Sequence, residues 1–461
     1  MAIEQAAASY RRDLGDGLVL RWSKPDDAER LAQLMGTVWR ASADAPPNPR
    51  LMEVVRRHMR GEYPLVGPGD CALVEDTQQP SRSIVACAFL WREEWSYEDI
   101  PFGVGRPENI ATDPAYRNRG LVRAIMELVH ARSAAEGHLV QAITGIPHFY
   151  RQFGYEYALD LHGRRVIFLA LIPEADAGSP EPYALREAAL ADIPAIMEIY
   201  DRRRAGSLVW NRVSERYWRY QIEKWHNPAL ASLDPTLHGV NDRIQVIVDA
   251  AGAVHGYAIV ATKRWASDLQ VYALELAGGV NWQLAMPALL RALRSYGLGL
   301  PCVRPKIEPL REISLLLGRE HPAYAALGQA LASLYEPPYA WYIRVPDLTA
   351  FLQLIAPALE RRLAESPAAS YSGELTLNFY RYGLRLIFDA GRLASIAPWS
   401  APAYNTNADA GFPALVFLQL LFGYRSLAEL RYAFPDVVVG GAAEPLLNAL
   451  FPARPSWLMA L

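Results

Sequence analysis

The chain has 461 residues, enough for about three domains at roughly 150 residues each, which excludes a small cross-linked module. Lys plus Arg number 46 and Asp plus Glu 49, a formal net charge of −3, so no global positive field favours a nucleic acid. Hydrophobic residues make up 51% and charged ones 21%, the balance of a globular chain that is neither disordered nor membrane-embedded.

In chain order, the start carries Glu4, Arg11, Arg12 and Asp13 without the apolar core of a secretion signal, and no segment reaches the ~18 apolar residues of a membrane span. A cytoplasmic protein without a membrane partner is expected. Leu18 to Leu20 form a strand-like run; Ser23 is the expected N-cap, with Pro25 and Asp26 in the first turn. Leu31, Leu34, Met35 and Val38 then fall at i, i+3, i+4 and i+7, one face of a helix packed on a sheet. Residues 84–95 and 102–112 are expected strands, 121–135 a helix and 138–145 a short strand, an α/β sheet with a helix against its face. Trp91, Glu93 and Trp95 alternate along the first of these strands and can set two indoles and an acid on one face, a wall for a cationic amine. Phe102-Gly103-Val104-Gly105 is not a dinucleotide loop, because Glu108 stands where GxGxxG needs its third glycine.

The stretch PEADAGSPEP at 173–182 has the composition of a linker, and EPP at 336–338 marks a second cut before the apolar run from Trp341, giving segments 1–172, 183–336 and 339–461. Beyond the linker, Leu185, Arg186, Asp192, Ile196 and Ile199 repeat the spacing of Leu20, Arg21, Asp27, Leu31 and Leu34. In the last segment, Leu375, Leu377 and Phe379 alternate with polar residues as in a half-buried strand, and 415–421 and 445–451 are expected helices. The three cysteines, Cys71, Cys87 and Cys302, lack CxxC spacing, and no HExxH pair occurs, which argues against a disulfide framework or a metal site.

The window Glu108 to Gly137 carries the most chemistry. A strand ends at Thr112, and Arg117-Asn118-Arg119-Gly120-Leu121-Val122 leads into an amphipathic helix. Such a loop aims unpaired N–H groups and the positive end of a helix dipole at one place, a site for an anion of pyrophosphate size. Gly120 permits close backbone approach or a positive φ, and Arg117, Arg119 and Arg123 can pair with phosphates from the side.

This run resembles motif A of the GNAT superfamily of acyl-CoA-dependent N-acetyltransferases, Gln/Arg-x-x-Gly-x-Gly/Ala. It departs at Val122, and an Arg-rich loop ending in a larger aliphatic residue is similar to the enhanced intracellular survival (Eis) type. Phe149-Tyr150-Arg151-Gln152-Phe153-Gly154-Tyr155 resembles the Tyr-x-x-Phe-Gly-Phe/Tyr signature of the same superfamily. The resemblance implies an α/β (α+β) chain: two tandem GNAT-like mixed-sheet domains and a C-terminal α+β domain like sterol carrier protein. It implies acetyl-CoA as co-substrate and no metal. Ile110, Ala111 and Thr112 would face the thioester, Arg117, Asn118, Arg119, Gly120, Leu121, Val122 and Arg123 the diphosphate, and Gly145 and Ile146 complete the cofactor-binding set.

Amine acetylation needs a proton for the departing thiolate, of pKa about 8.5, and a phenol can hydrogen-bond to it and deliver one, which assigns Tyr150 as the acid. By the resemblance, the base is the terminal carboxylate of Leu461, whose approach Trp457 to Ala460 is apolar; Glu108 and a water are alternatives. The second unit runs from Leu274-Glu275-Leu276 into Gly278-Gly279-Val280-Asn281-Trp282 without arginine and is expected to be scaffold. The acceptor is a primary amine of a small polyamine-like or aminoglycoside-like molecule, or lysine, and the family implies a homo-oligomer, a hexamer in its Eis-type members. The alternative is a non-catalytic lipid or small-molecule binder on a degenerate acetyltransferase scaffold.

Overall fold

The computed structural model describes residues 2–176, 178, 180–233, 242–303, 308–400 and 408–459. Leu461, expected to supply the base, lies outside them. The chain begins with β1 (Arg11–Gly15), β2 (Leu18–Trp22), β3 (Cys71–Asp76), β4 (Ile84–Tyr97) and β5 (Ile100–Thr112), an antiparallel series. The helix Leu121–Ala135 then crosses to β6 (Val140–Ile143), parallel to β5, and β7 (Glu156–Leu161) follows. β4 is buried from Ile84 to Trp91, as expected of an apolar run covered on both faces. The helix begins and ends where its periodicity indicated.

The next strands are β8 (Arg164–Phe168), β9 (Ala184–Glu187), β10 (Val209–Arg212), β11 (Asp242–Val248), β12 (Val254–Ala261), β13 (Arg264–Trp265), β14 (Asp268–Leu276), β15 (Cys302–Val303), β16 (Glu312–Leu315), β17 (Leu334–Glu336) and β18 (Tyr339–Arg344). Two mixed sheets result. The first has the order β1-β2-β3-β4-β5-β6-β18-β7, with β10 added beside β4; the second has β17-β8-β16-β14-β12-β11-β9. The units therefore exchange strands. β18, met only after the second unit, lies antiparallel between β6 and β7, while β8 crosses into the second sheet between β16 and β17. Sheet membership thus departs from the segments drawn on composition, because a linker's polarity says nothing of which sheet the flanking strands join.

The spacing repeated in the two units corresponds to the same device built twice. Arg21 pairs with Asp27 at 2.7 Å and Arg186 with Asp192 at 2.8 Å, and each aspartate accepts, at 2.7 Å, the N–H of the residue three before it. Here the structure corrects the expected cap. Ser23 is not at the helix start: its hydroxyl donates to the Pro68 carbonyl and accepts the Cys71 N–H, and Asp27 closes the turn from inside.

A third sheet, β21-β20-β19-β22-β23, is built from β19 (Gly373–Asn378), β20 (Gly383–Asp389), β21 (Arg392–Trp399), β22 (Ala410–Gly411) and β23 (Val438–Val439). Leu375, Leu377 and Phe379 point inward as the alternation indicated, and helices occupy Phe417–Leu421 and Ala443–Leu450. This core is continuous with the first unit's: Trp95, Tyr97 and Phe102 pack with Phe351 and Phe422, and the Tyr97 hydroxyl donates to the Leu421 carbonyl at 2.8 Å. The tail then returns along β10. Val209 N–H donates to Ser456 Oγ at 3.0 Å, and the Asn211 amide donates to the Met459 carbonyl at 2.8 Å and accepts its N–H at 3.1 Å.

Candidate active site

β5 is paired on both sides over only part of its length. It meets β4 from Ile100 to Thr112 but β6 only at Val104 and Gly105, so Arg106 to Thr112 present an edge that β6 does not cover. In this free half the register slips. Cys87 faces Ala111 while Phe89 faces Glu108, leaving an extra residue on β5 where Asn109 has φ 53°. The bulge turns the backbone around Ile110 relative to the rest of the strand. Earlier in β5, a Cβ on Gly105 would lie 2.0 Å from Ser133 Oγ, so the glycine that mimicked a nucleotide loop serves close packing of the helix on the sheet.

From Thr112 the chain makes a short 3-10 turn, Pro114–Tyr116, capped by Asp113, and reaches the helix at Leu121. Gly120 has φ 74° and ψ 5°, and a Cβ there would meet nothing within 4 Å, so backbone conformation rather than crowding demands glycine. Among the described residues, no side chain caps this helix. Its first internal bond runs from Ala124 N–H to the Gly120 carbonyl, so the N–H groups of Leu121, Val122 and Arg123 precede the ladder. The arginines around it differ. Arg119 lies 4.9 Å above the Tyr116 ring; Arg123 donates to Gln152 Oε1 at 2.9 Å and covers Phe153; Arg117 is exposed.

The open strand edge and the uncapped helix start share one cleft of about 640 Å³. Its walls bring together Ile110, Thr112, Arg117, Asn118, Gly120, Leu121, Val122, Arg123, Ile146 and Tyr150 from the expected set. Val38, Trp39, Tyr116, Phe149 and Gln152 also line it; Phe149 and Gln152 belong to the aromatic signature, whereas Val38, Trp39 and Tyr116 had carried no signal for a site. Ala111 is placed differently: strand alternation turns its methyl into the core, 2% exposed. Gly145 backs the cleft, where a Cβ would sit 3.6 Å from the Tyr150 hydroxyl.

Tyr150 stands on the 3-10 helix Phe149–Phe153, 5% exposed, edge-on to Phe149, Tyr155 and Tyr342. Burial, aided by the charge of Glu108, pushes its phenol up to about 12. Tyr155 is fully buried and bonds to His130 Nε2 at 2.8 Å, a core position, whereas Phe153 is only half-buried beneath Arg123.

Glu108 accepts from Arg106 Nε at 2.8 Å, and Arg106 also donates to Glu93 at 2.8 Å with its guanidinium over the rings of Trp91 and Trp341. This corrects the expectation of an indole-and-acid wall. Trp91, Glu93 and Trp95 are all buried, and Glu93 is committed to Arg106 and to Trp95 Nε1.

The second unit repeats the architecture without the opening. Its corresponding helix, Trp282–Leu298, is capped by Asn281, whose side-chain oxygen accepts the N–H groups of Gln283 and Leu284 at 2.9 and 3.3 Å. The Arg202 guanidinium covers Gly278, and Glu275 at the end of β14 is held by Arg203 and by buried His321, both at 3.3 Å.

Residues 20–158 match a family profile described as an acetyltransferase (GNAT) domain. No curated protein sequence matches the chain. Among solved structures, a probable N-acyltransferase of unknown function from Enterococcus faecalis V583 is similar over 96% of this chain and 99% of its own, with 13% identity and a TM-score of 0.63. A GCN5-related N-acetyltransferase from Kribbella flavida covers 96% and 97%, with 17% identity and a TM-score of 0.61. Eis1 from Mycobacterium abscessus covers 96% and 99%, with 14% identity and a TM-score of 0.56. At these identities the likeness speaks for the fold. Residues 20–158 match the GNAT acetyltransferase domain, which supports an acyltransferase, and the chain as a whole has a fold similar to those of Eis1 and other GNAT N-acetyltransferases.

Proposed function

We propose that the protein is an acetyl-CoA-dependent N-acetyltransferase acting on a primary amine. One observation carries the reading: an uncovered edge of β5, an uncapped helix start at Gly120 and the Tyr150 phenol open into a single cleft. The N–H groups of residues 118–123 would hold the diphosphate, aided by the helix dipole and by Arg117 and Arg119. Backbone donors at Ile110 to Thr112 would lie along the pantetheine and meet the negative charge that develops on the thioester oxygen. Ala111 contributes backbone only, and Gly145 and Ile146 bound the acyl end.

Tyr150 hydrogen-bonds the departing sulfur and supplies its proton. The base is the Leu461 carboxylate, carried by a tail pinned to Asn211 at Met459; Glu108, already paired with Arg106, is the weaker candidate, and a water between carboxylate and amine remains an alternative. The second unit serves as scaffold, its helix start capped and its glycine turn covered. The third is a sterol carrier protein-like domain, and the chain assembles as a homo-oligomer, both on the strength of the Eis-type resemblance.

The acceptor is a polyamine, an aminoglycoside-like molecule or a lysine side chain. The test incubates the protein with acetyl-CoA and, in turn, spermidine, an aminoglycoside and a lysine peptide, reading free thiol. Thiol release that needs both acetyl-CoA and one of these amines is expected. Tight CoA binding without release from any amine would favour the non-catalytic binder.

A further inference from the structure

We infer that Tyr342, on the strand exchanged from beyond the second unit, is a positioning residue for Tyr150; the inference rests on the proposed role of Tyr150. β18 sets Tyr342 opposite Ile143 on one side and Tyr157 on the other. Its ring is fully buried, 5.5 Å from that of Tyr150 and nearly perpendicular to it. Its hydroxyl lies within donating distance of the Ile146 carbonyl, at 3.1 Å. The same oxygen sits 2.6 Å from the Tyr157 hydroxyl, which accepts the His148 N–H at 3.1 Å.

The turn between β6 and the Tyr150 helix is therefore tied at Ile146 by Tyr342 and at His148 by Tyr157. His148 holds φ 59°, a conformation that needs such ties to persist in a residue with a side chain. The turn in turn bounds Tyr150 through Gly145, so one tyrosine from a distant part of the chain fixes both the back of the phenol ring and the loop beside its hydroxyl. A displacement of about 1 Å at a proton donor is enough to cost turnover without costing cofactor affinity.

The experiment is a double-mutant cycle in the full chain, with Tyr150→Phe, Tyr342→Leu, Tyr342→Phe and the pairs, measuring kcat, KM for acetyl-CoA and CoA binding by calorimetry. Tyr342→Leu should lower kcat roughly tenfold or more with KM and CoA affinity within about twofold, and Tyr342→Phe, which keeps the ring, should recover part of the loss. In the Tyr150→Phe background the Tyr342 substitutions should cost little further. Equal losses in both backgrounds, or a fall in CoA affinity matching the fall in kcat, would overturn the positioning role. Full turnover of Tyr150→Phe would instead remove the acid itself. Should Tyr342→Leu fail to fold or Tyr150→Phe fall below detection, Tyr342→Phe decides alone: a fall in kcat with KM for acetyl-CoA and CoA affinity held supports the inference, and an unchanged kcat, or a matching loss of CoA affinity, overturns it.

Discussion

At the scale of single residues, Tyr150 combines two opposed requirements. Burial against aromatic rings places its hydroxyl in a dry wall but pushes its pKa up to about 12, some distance above the ~8.5 of a thiol. In the proposed mechanism it therefore donates a hydrogen bond that strengthens as charge develops on sulfur and passes its proton as the thiolate leaves, rather than ionising beforehand. Because the raised pKa keeps the phenol protonated, the pH profile of kcat/KM should show no alkaline fall due to Tyr150 until pH approaches 12. The acid limb, set by amine and base, should be the same in Tyr150→Phe. His58 offers a stability test of the same kind. Enclosed by Tyr63, Phe89 and Trp91, its imidazole is pushed down to about 3 by burial. The unfolded chain takes up this proton near pH 6.5, so its contribution is present in full above that value and is lost as pH falls toward 3. Urea midpoints should decline across that window and decline less steeply in His58→Leu; His130, also pushed down to about 3, keeps part of the slope.

At the scale of elements, two helix starts of one architecture part in function over a cap. Gly120 leaves its helix open, whereas Asn281 closes the other. Gly120→Glu places a carboxylate at the diphosphate position and a side chain at positive φ; it should abolish CoA-dependent thermal stabilisation, which at 100-fold excess over Kd amounts to about 2.7 kcal/mol in the wild type. Asn281→Ala should instead cost about 1 kcal/mol of stability and leave CoA stabilisation intact. A loss of CoA stabilisation in Asn281→Ala alone would reverse the assignment of the two units. The tail permits a third separation. Trp457 and Met459 are anchored by Ser207 and Asn211, so deletion of Leu461 should lower turnover with little change in Tm; unchanged turnover removes its carboxylate as the base.

At the scale of the whole molecule, the exchange of β8 and β18 makes the first two units interdependent. Without β18, the edges of β6 and β7 would be unpaired and Trp341, between Trp95 and Arg106, would be missing. A fragment of residues 1–172 should accordingly be insoluble or unfolded by circular dichroism, and the full chain should unfold in one main calorimetric transition; a folded fragment that binds CoA would contradict this. The sequence had conveyed the parts that depend on local pattern: the helix at Leu121, the flanking strands, the Gly120 turn and the Tyr150 signature. It concealed what arises from pairing between distant segments. The apolar run from Trp341 marked a segment but not the sheet it would join, and Trp91, Glu93 and Trp95 looked like a binding wall because their neutralising partner, Arg106, lies on the next strand. The cleft residue Trp39 went unnoticed for the same reason, being brought in by tertiary packing from the end of a helix without a motif.

The most direct measurement is thiol release by Tyr150→Phe beside the wild type, with acetyl-CoA binding followed on the same samples. The acid role of Tyr150 predicts turnover lowered by about 10²-fold or more with affinity for acetyl-CoA within a factor of about two. Turnover equal to that of the wild type would contradict it.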